Sequence, residues 1–170
     1  MSGPKVAILM GSDSDLEIMR EAWNALEEFK IPCEMHVLSA HRSPELVAAF
    51  ASGAAGRGLK VLIAGAGGAA HLAGVVAAHT TLPVIGVPIN SSPLAGFDAL
   101  LATVQMPAGI PVATVAVGKA GARNAGILAA QILGISDAAV SGKLVQFKER
   151  LASGVRQKDE ELQKKLSAGA

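Results

Sequence analysis

The chain has 170 residues, of which 51% are hydrophobic and 17% charged, and this composition excludes an intrinsically disordered protein. The formal net charge is +1 and aromatic residues make up 3%, so neither nucleic acid nor a membrane surface is expected as a partner. The single cysteine, Cys33, excludes an internal disulfide and a cysteine-rich metal site.

The first half of the chain alternates short apolar runs with amphipathic ones. Residues 6–10 predict a strand buried on both faces, and residues 16–26 carry apolar side chains at helical spacing. Ser14 and Glu17 fit a capping box at the start of that helix. A second strand is predicted over residues 33–38, followed by a helix with Pro44 at its first position.

The same alternation continues to residue 133. Strands are predicted over residues 59–64, 83–87 and 112–117, and helices over residues 71–79, 94–104 and 120–133. Five strand–helix units predict an α/β fold, a three-layer αβα sandwich around a five-stranded parallel sheet. Because crossovers are right-handed, a flavodoxin-like strand order is the simplest arrangement.

The end of the chain carries a separate helical stripe, made of Val140, Leu144, Phe147, Leu151 and Val155. We therefore expect a nucleotide-binding α/β catalytic domain over residues 1–135 and a C-terminal helical extension over residues 136–170. The apolar stripe requires this extension to dock on its own domain or on a neighbouring subunit. The sequence shows no signal peptide and no apolar run suited to a membrane helix, so a cytoplasmic protein is expected.

The loops that follow the predicted strands are where an open α/β sheet binds its ligands. Residues 11–15 read Gly-Ser-Asp-Ser-Asp, and their hydroxyls and helix N–H groups suit a phosphate. Their carboxylates suit sugar hydroxyls. The alternative is plain helix capping, since Ser and Asp are also common at helix starts.

The second loop combines a hydroxyl, an imidazole and a guanidinium in Ser39, His41 and Arg42. Histidine exchanges protons near neutrality, because its ordinary pKa is about 6.5. Arginine binds phosphate through paired donors. We interpret this cluster as functional, with loop capping as the alternative.

The remaining loops are less specific. Glycines in residues 65–71 could admit a ligand or pack the strand on its helix, and they lack the context of a dinucleotide fingerprint. The loop from Gly118 to Gly121 departs from a P-loop. His36 and His79 are interpreted as structural or surface residues, and the histidines lack metal-ligand spacing, so no metal is predicted. The spacing alone predicts a site for a phosphorylated sugar or nucleotide with proton transfer as its chemistry.

At these loops the chain resembles the PurE family, the N5-carboxyaminoimidazole ribonucleotide mutases of purine biosynthesis. The resemblance covers nearly all of residues 5–134. It is carried by MGSDSD at 10–15, SAHRSP at 39–44, AGAGGAAHL at 64–72, GVP at 86–88, QMPAGIPV at 105–112 and GKAGARNAG at 118–126.

The resemblance implies a homo-octamer with its sites at subunit contacts, where we also expect the C-terminal helix. It implies isomerisation of N5-carboxyaminoimidazole ribonucleotide to 4-carboxyaminoimidazole ribonucleotide without a metal or organic cofactor. The implied catalytic residues are His41, as acid and base, and His71. The implied substrate-binding residues are Gly11, Ser12, Asp13, Asp15, Ser39, Ala40, Arg42, Gly67, Gly68 and Leu72.

Two alternatives stay open at the level of the sequence. The first is an aminoimidazole ribonucleotide carboxylase of the same fold that uses free CO2. The animal-type carboxylase commonly has lysine after the histidine, where this chain has Arg42, as in the mutase subtype. The second is a non-catalytic module that binds a phosphorylated ligand.

Overall fold

The computed structural model describes residues 3–168, in which strands and helices alternate along the chain. The strands are β1 Val6–Met10, β2 Cys33–Val37, β3 Val61–Gly67, β4 Val84–Ile89 and β5 Ala113–Thr114. The helices are α1 Leu16–Glu28, α2 Pro44–Gly53, α3 Leu72–Ala78, α4 Phe97–Val104, α5 Gly118–Gly134 and α6 Ala138–Ala168. A 3₁₀ turn over Asp13–Asp15 leads into α1.

All neighbouring strands are parallel, in the order β2-β1-β3-β4-β5. This is the flavodoxin-like order, so the predicted fold is confirmed. The chain moves outward from β1 to β2 and then returns to β3 on the other side of β1. The carboxyl ends of β1 and β3 therefore flank the crevice where such sheets bind ligands.

The central strand is apolar on both faces because helices cover both sides of the sheet. Val6, Ile8 and Met10 pack into a core formed with α1 and α5. Ala7 and Leu9 point to the opposite face and pack into a second core formed with α2 and α3. All five side chains of β1 are buried, which fixes the strand register, since a shift by one residue would exchange the two faces.

Helices α1 and α5 approach each other closely because small residues line their contact. A Cβ atom added at Gly126 of α5 would lie 2.6 Å from the carbonyl oxygen of Ala22 and 2.8 Å from the Cβ of Ala25. Both distances are shorter than van der Waals contact. The alanine- and glycine-rich sequence of α5 is thus a packing requirement of this face of the molecule.

The first half of α6 packs on the core, and the second half extends beyond it. Val140 and Phe147 are buried, and the ring of Phe147 meets that of Phe29 edge-on at 5.5 Å. Leu151 and Val155, on the same stripe, are 51% and 69% exposed. The expected docking on its own domain therefore holds for only part of the stripe. Across residues 3–168, none of the helices combines the length and apolarity that spanning a bilayer requires.

Three local predictions were wrong. The capping box is formed by Ser12 and Asp15 at the 3₁₀ turn, not by Ser14 and Glu17. Helix α4 begins at Phe97 rather than at residue 94, because the preceding Ala95 and Gly96 have positive φ angles of 52° and 85°. Strand β5 has two residues instead of the expected six.

Candidate functional site

A cavity of about 410 Å³ opens at the carboxyl edge of the sheet. It lies where the loops after β1, β2, β3 and β4 meet, so the strand order explains why residues distant in sequence come together. Its lining is formed by Gly11, Ser12, Ser14, Asp15, Ser39, Ala40, His41, Arg42, Ala66, Gly67, Ala70, His71, Leu72 and Ser91.

The loop after β1 forms one wall of this cavity and is held by its own side chains. The backbone N–H of Ser12 donates to Oδ2 of Asp15 at 3.2 Å, and the N–H of Ser14 donates to Oγ of Ser12 at 3.3 Å. Burial raises the pKa of Asp15, while the hydrogen bond from Ser12 and the nearby Arg42 cation oppose the increase. The loop thus presents hydroxyls beside a largely buried carboxyl.

Arg42 ties the loop after β2 to the loop after β1. Its Nη2 donates to the carbonyl oxygen of Gly11 at 2.6 Å, and its Nε donates to Oγ of Ser39 at 3.3 Å. A guanidinium has five N–H donors, so further donors remain for an anion. The exposed Arg42 is therefore held at the rim by two protein contacts and can still bind a phosphate.

His41 and His71 form a hydrogen-bonded pair. Nε2 of His41 lies 2.7 Å from Nδ1 of His71, and the two rings are nearly perpendicular with centroids 4.9 Å apart. In the neutral pair one nitrogen donates and the other accepts, so the tautomers of the two rings are coupled. Within residues 3–168, Nδ1 of His41 has no hydrogen-bond partner and remains available to a ligand.

The glycine-rich loop after β3 closes the opposite wall. Gly67 faces Ser91, which follows β4, and a Cβ atom added at Gly67 would overlap the Ser91 hydroxyl. Gly68 adopts a positive φ of 59°, which turns the chain towards α3. The glycines therefore allow close backbone approach here.

Ten of the twelve residues expected at the site line the cavity, and Asp13 and Gly68 do not. The cavity also contains Ser91, which sequence reasoning did not select. Its signal was weak: a serine just after a strand is typical of a turn. Ser91 reaches the site because β4, which it follows, pairs with β3 in the sheet.

Other reactive side chains lie elsewhere. Burial raises the pKa of Cys33 to about 11, which suppresses the thiolate that a nucleophile would need. Lys119, expected in a loop and found at the start of α5, pairs with Glu17. Across residues 3–168, no group of three or more His, Cys, Asp or Glu side chains is placed to hold a metal ion.

The arrangement places hydrogen-bond donors suited to an anion beside two hydrogen-bonded imidazoles. Ser12 and Arg42 supply donors suited to a phosphate, and Asp15 supplies acceptors for hydroxyl groups. The imidazoles of His41 and His71 share the same cavity. Such a site can hold a phosphorylated, hydroxyl-bearing ligand while one imidazole exchanges a proton with it.

Comparison with known proteins gives the family. Residues 5–154 match the family described as AIR carboxylase. An N5-carboxyaminoimidazole ribonucleotide mutase of Mycobacterium tuberculosis is 56% identical over 161 residues, which cover 95% of this chain and 91% of that protein. The protein of the same name from Bacillus subtilis is 53% identical over 159 residues, with 94% and 98% covered.

A solved structure agrees with this match. Treponema denticola PurE superposes with a TM-score of 0.84 at 30% identity, and the match covers 94% of this chain and 98% of that one. The sequence match and the structural match both extend over nearly the whole chain. The chain therefore belongs to the AIR carboxylase, or PurE, family.

Proposed function

We propose that this protein is an N5-carboxyaminoimidazole ribonucleotide mutase of purine biosynthesis, which produces 4-carboxyaminoimidazole ribonucleotide. The observation that carries the proposal is the 2.7 Å contact between His41 and His71 in the same cavity as Arg42. The family match and the relatives at 53–56% identity supply the substrate.

The ribonucleotide binds between the wall formed by the loop after β1 and the wall formed by the loop after β3. Arg42 and Ser12 hold the phosphate, and the Asp15 carboxylate accepts hydrogen bonds from the ribose hydroxyls. Ser39 orients the guanidinium through its hydrogen bond to Nε. The other expected binding residues that line the cavity surround the sugar, the base and the migrating carboxyl group: Gly11, Ala40, Gly67 and Leu72. Asp13 and Gly68 lie outside the lining and shape the loops that carry Ser12 and Gly67.

His41 acts first as an acid and then as a base. It protonates the carbamate nitrogen, the N–C bond breaks, and CO2 is released inside the cavity. The electron-rich ring carbon C4 then attacks CO2 and forms the new C–C bond. His41 finally removes the proton from C4 and returns to its starting state.

This cycle neither gains nor loses atoms or electrons, so it requires no redox cofactor. His71 positions the ring of His41 through their hydrogen bond and fixes the tautomer that can exchange the proton. Retention of CO2 next to C4 converts a second-order recapture into a proximity-assisted step.

An assay of mutase activity with and without bicarbonate tests the proposal. Purified protein is given N5-carboxyaminoimidazole ribonucleotide, and formation of the 4-carboxy isomer is followed with and without added bicarbonate. A mutase converts the substrate at the same rate in both conditions. A rate that depends on bicarbonate would instead identify a carboxylase, and binding without conversion would identify a ligand-binding module.

Replacement of His41 by asparagine tests its role. Because acid–base catalysis contributes about 10²–10⁴-fold, His41→Asn should lower kcat by at least about 100-fold while the nucleotide still binds. His36→Asn is the matched control, since His36 lies on β2 outside the cavity. Near-normal turnover by His41→Asn would contradict the assigned role.

The proposal includes assembly into a homo-octamer in the cytoplasm. In the single chain His41 and His71 are exposed, so CO2 would escape unless another surface covers the cavity. Leu94 and Phe97, close in sequence to Ser91, are 63% and 62% exposed. We infer that this apolar surface and the exposed half of α6 contact other subunits and complete the site.

A further inference from the structure

A second cavity, of about 630 Å³, lies at the amino edge of the sheet, opposite the proposed active site. Three lysines line it: Lys5 precedes β1, Lys30 follows α1 and Lys60 precedes β3. The turn between α5 and α6 forms the facing wall. Nothing in the proposed reaction uses this region.

The sheet register places two of these lysines side by side. Val6 is paired with Val61 in the parallel ladder, and the backbone N–H of Lys60 donates to the carbonyl oxygen of Lys5 at 2.8 Å. Adjacent strands are about 4.8 Å apart, so the backbones of Lys5 and Lys60 are neighbours at the same edge of the sheet. Lys30, with a positive φ of 56°, brings a third cation to the same cavity.

These three cations lack partners among residues 3–168, because no carboxylate oxygen lies within 4.0 Å of any of their ammonium groups. What sets these three apart is that all of them line one cavity, whereas Arg57, Lys119, Arg123 and Arg150 are each paired with a carboxylate. The cavity therefore concentrates positive charge in a chain whose formal net charge is only +1.

Asp137, the acidic residue in the lining, forms no ion pair with the three lysines and offsets only one of their three charges. Oδ1 of Asp137 accepts hydrogen bonds from the backbone N–H groups of Ala139 and Val140, at 3.0 and 3.1 Å, and so caps α6. The rest of the lining includes an apolar surface made by the exposed Pro32, Ala138 and Ala139. Cations and apolar surface together suit an anion that also carries an apolar group.

We propose that this cavity binds a nucleoside triphosphate. The ammonium groups of Lys5, Lys30 and Lys60 hold the phosphate chain, and the apolar surface receives the base. Lysine binds phosphate as a compact charge, and three of them offset most of the negative charge of a triphosphate chain. The volume lies within the usual range for small-molecule sites, about 300–1,000 Å³.

Isothermal titration calorimetry of the full-length protein tests this assignment with two probes, inorganic tripolyphosphate and ATP. The same titrations are made with Arg42→Gln, which removes the main cation of the proposed active site. We expect tripolyphosphate to bind the wild type and Arg42→Gln with similar affinity. ATP should bind at least tenfold more tightly than tripolyphosphate. Equal affinities for the two probes would overturn the nucleotide assignment.

The triple variant Lys5→Gln/Lys30→Gln/Lys60→Gln should bind both probes at least tenfold more weakly. Its control, Lys158→Gln/Lys164→Gln/Lys165→Gln, removes the same charge from exposed positions on α6 and should bind like the wild type. Loss of binding in Arg42→Gln, or equal weakening in both triple variants, would overturn the proposal. The single variants Lys30→Gln and Lys60→Gln, both at exposed positions, repeat the test if the triple variant does not fold.

Discussion

Asp15 places a carboxyl group where burial opposes its ionisation, and its 7% exposure explains why its pKa is raised. A raised folded-state pKa means that the folded chain binds the proton more tightly than the unfolded chain. The free energy of unfolding therefore falls as the pH rises from the unfolded pKa, about 3.9, through the folded pKa. Above the folded pKa, Asp15 is ionised in both states and the full cost of burying its charge is present. The residue therefore lowers the free energy of unfolding at neutral pH.

Asp15→Asn should accordingly raise Tm at pH 7.5, and the difference from the wild type should disappear below about pH 4. The same variant should bind the ribonucleotide at least about tenfold more weakly, because it gains stability by losing the carboxylate that we propose binds the ribose hydroxyls. Differential scanning calorimetry across pH and a KM measurement check both effects. Asp159→Asn, on the exposed part of α6, is the control and should show neither. A Tm difference that does not change with pH would contradict the argument.

Gly67 shows how a site can depend on a missing side chain. A Cβ atom there would overlap the Ser91 hydroxyl and lie 3.1 Å from the carbonyl oxygen of Ile89. Gly67→Ala should displace the loop after β4 and lower kcat/KM by about 10–100-fold, since small misplacements at a site are costly. Gly53→Ala, where the added methyl group meets nothing within 4 Å, should keep full activity.

A double variant separates displacement from a general loss of folding. Gly67→Ala/Ser91→Gly removes the overlapping side chain and should recover part of the activity lost in Gly67→Ala. Full activity in Gly67→Ala alone would show that the close approach to Ser91 has no effect on the site. Steady-state kinetics of the wild type, Gly67→Ala, Gly67→Ala/Ser91→Gly and Gly53→Ala distinguish these results. Circular dichroism shows whether each variant is folded.

At the residue scale, the site could be predicted where its chemistry is contiguous in sequence. Ser12 and Asp15 share one loop, and His41 and Arg42 are neighbours after a strand, so their residue types already indicated an anion site. The contact between His41 and His71 could not be predicted from spacing, because it depends on how two loops meet. Ser91 was missed for the same reason: its place opposite Gly67 follows from strand packing.

At the element scale, the existence of the strands and of α1 to α5 was predicted more reliably than their ends. Periodicity found β1, β3 and β4 because buried parallel strands are continuously apolar. It overestimated β5, since an apolar run cannot show how few of its residues reach a neighbouring strand. It also began α4 too early, because apolar residues at helical spacing do not reveal the positive φ angles of Ala95 and Gly96.

The α1–α5 contact gives a prediction about stability. Gly126→Ala places a methyl group 2.6 Å from a backbone oxygen, which the neighbouring helix can relieve only by moving. Overpacking of this kind costs about 1–3 kcal/mol. Gly142→Ala in α6 meets nothing within 4 Å and should be stabilising, by up to about 1 kcal/mol, because alanine favours the helix. Urea denaturation measures both, and equal effects would contradict the packing argument.

At the scale of the whole molecule, α6 extends beyond the core on which its first half packs. Its apolar residues recur at intervals of three, four or seven along the helix, from Val140 to Leu166, and so form one continuous stripe. The stripe is buried at Phe147 but exposed at Val155, Leu162 and Leu166, by 69%, 51% and 60%. An apolar stripe that continues past its own core is suited to a second copy of the chain.

Charges on this exposed stripe should therefore weaken assembly. Val155→Glu/Leu162→Glu should shift sedimentation from the proposed octamer to smaller species at micromolar concentration, since carboxylates in an apolar contact are costly. Ser153→Glu/Gln157→Glu adds the same charge to the opposite face of α6 and should sediment like the wild type. Because the stripe lies far along α6 from the buried Val140 and Phe147, each dissociated chain should keep its fold by circular dichroism. An unchanged sedimentation profile in Val155→Glu/Leu162→Glu would place the subunit contact elsewhere, with the exposed face of α4 as the next surface to test.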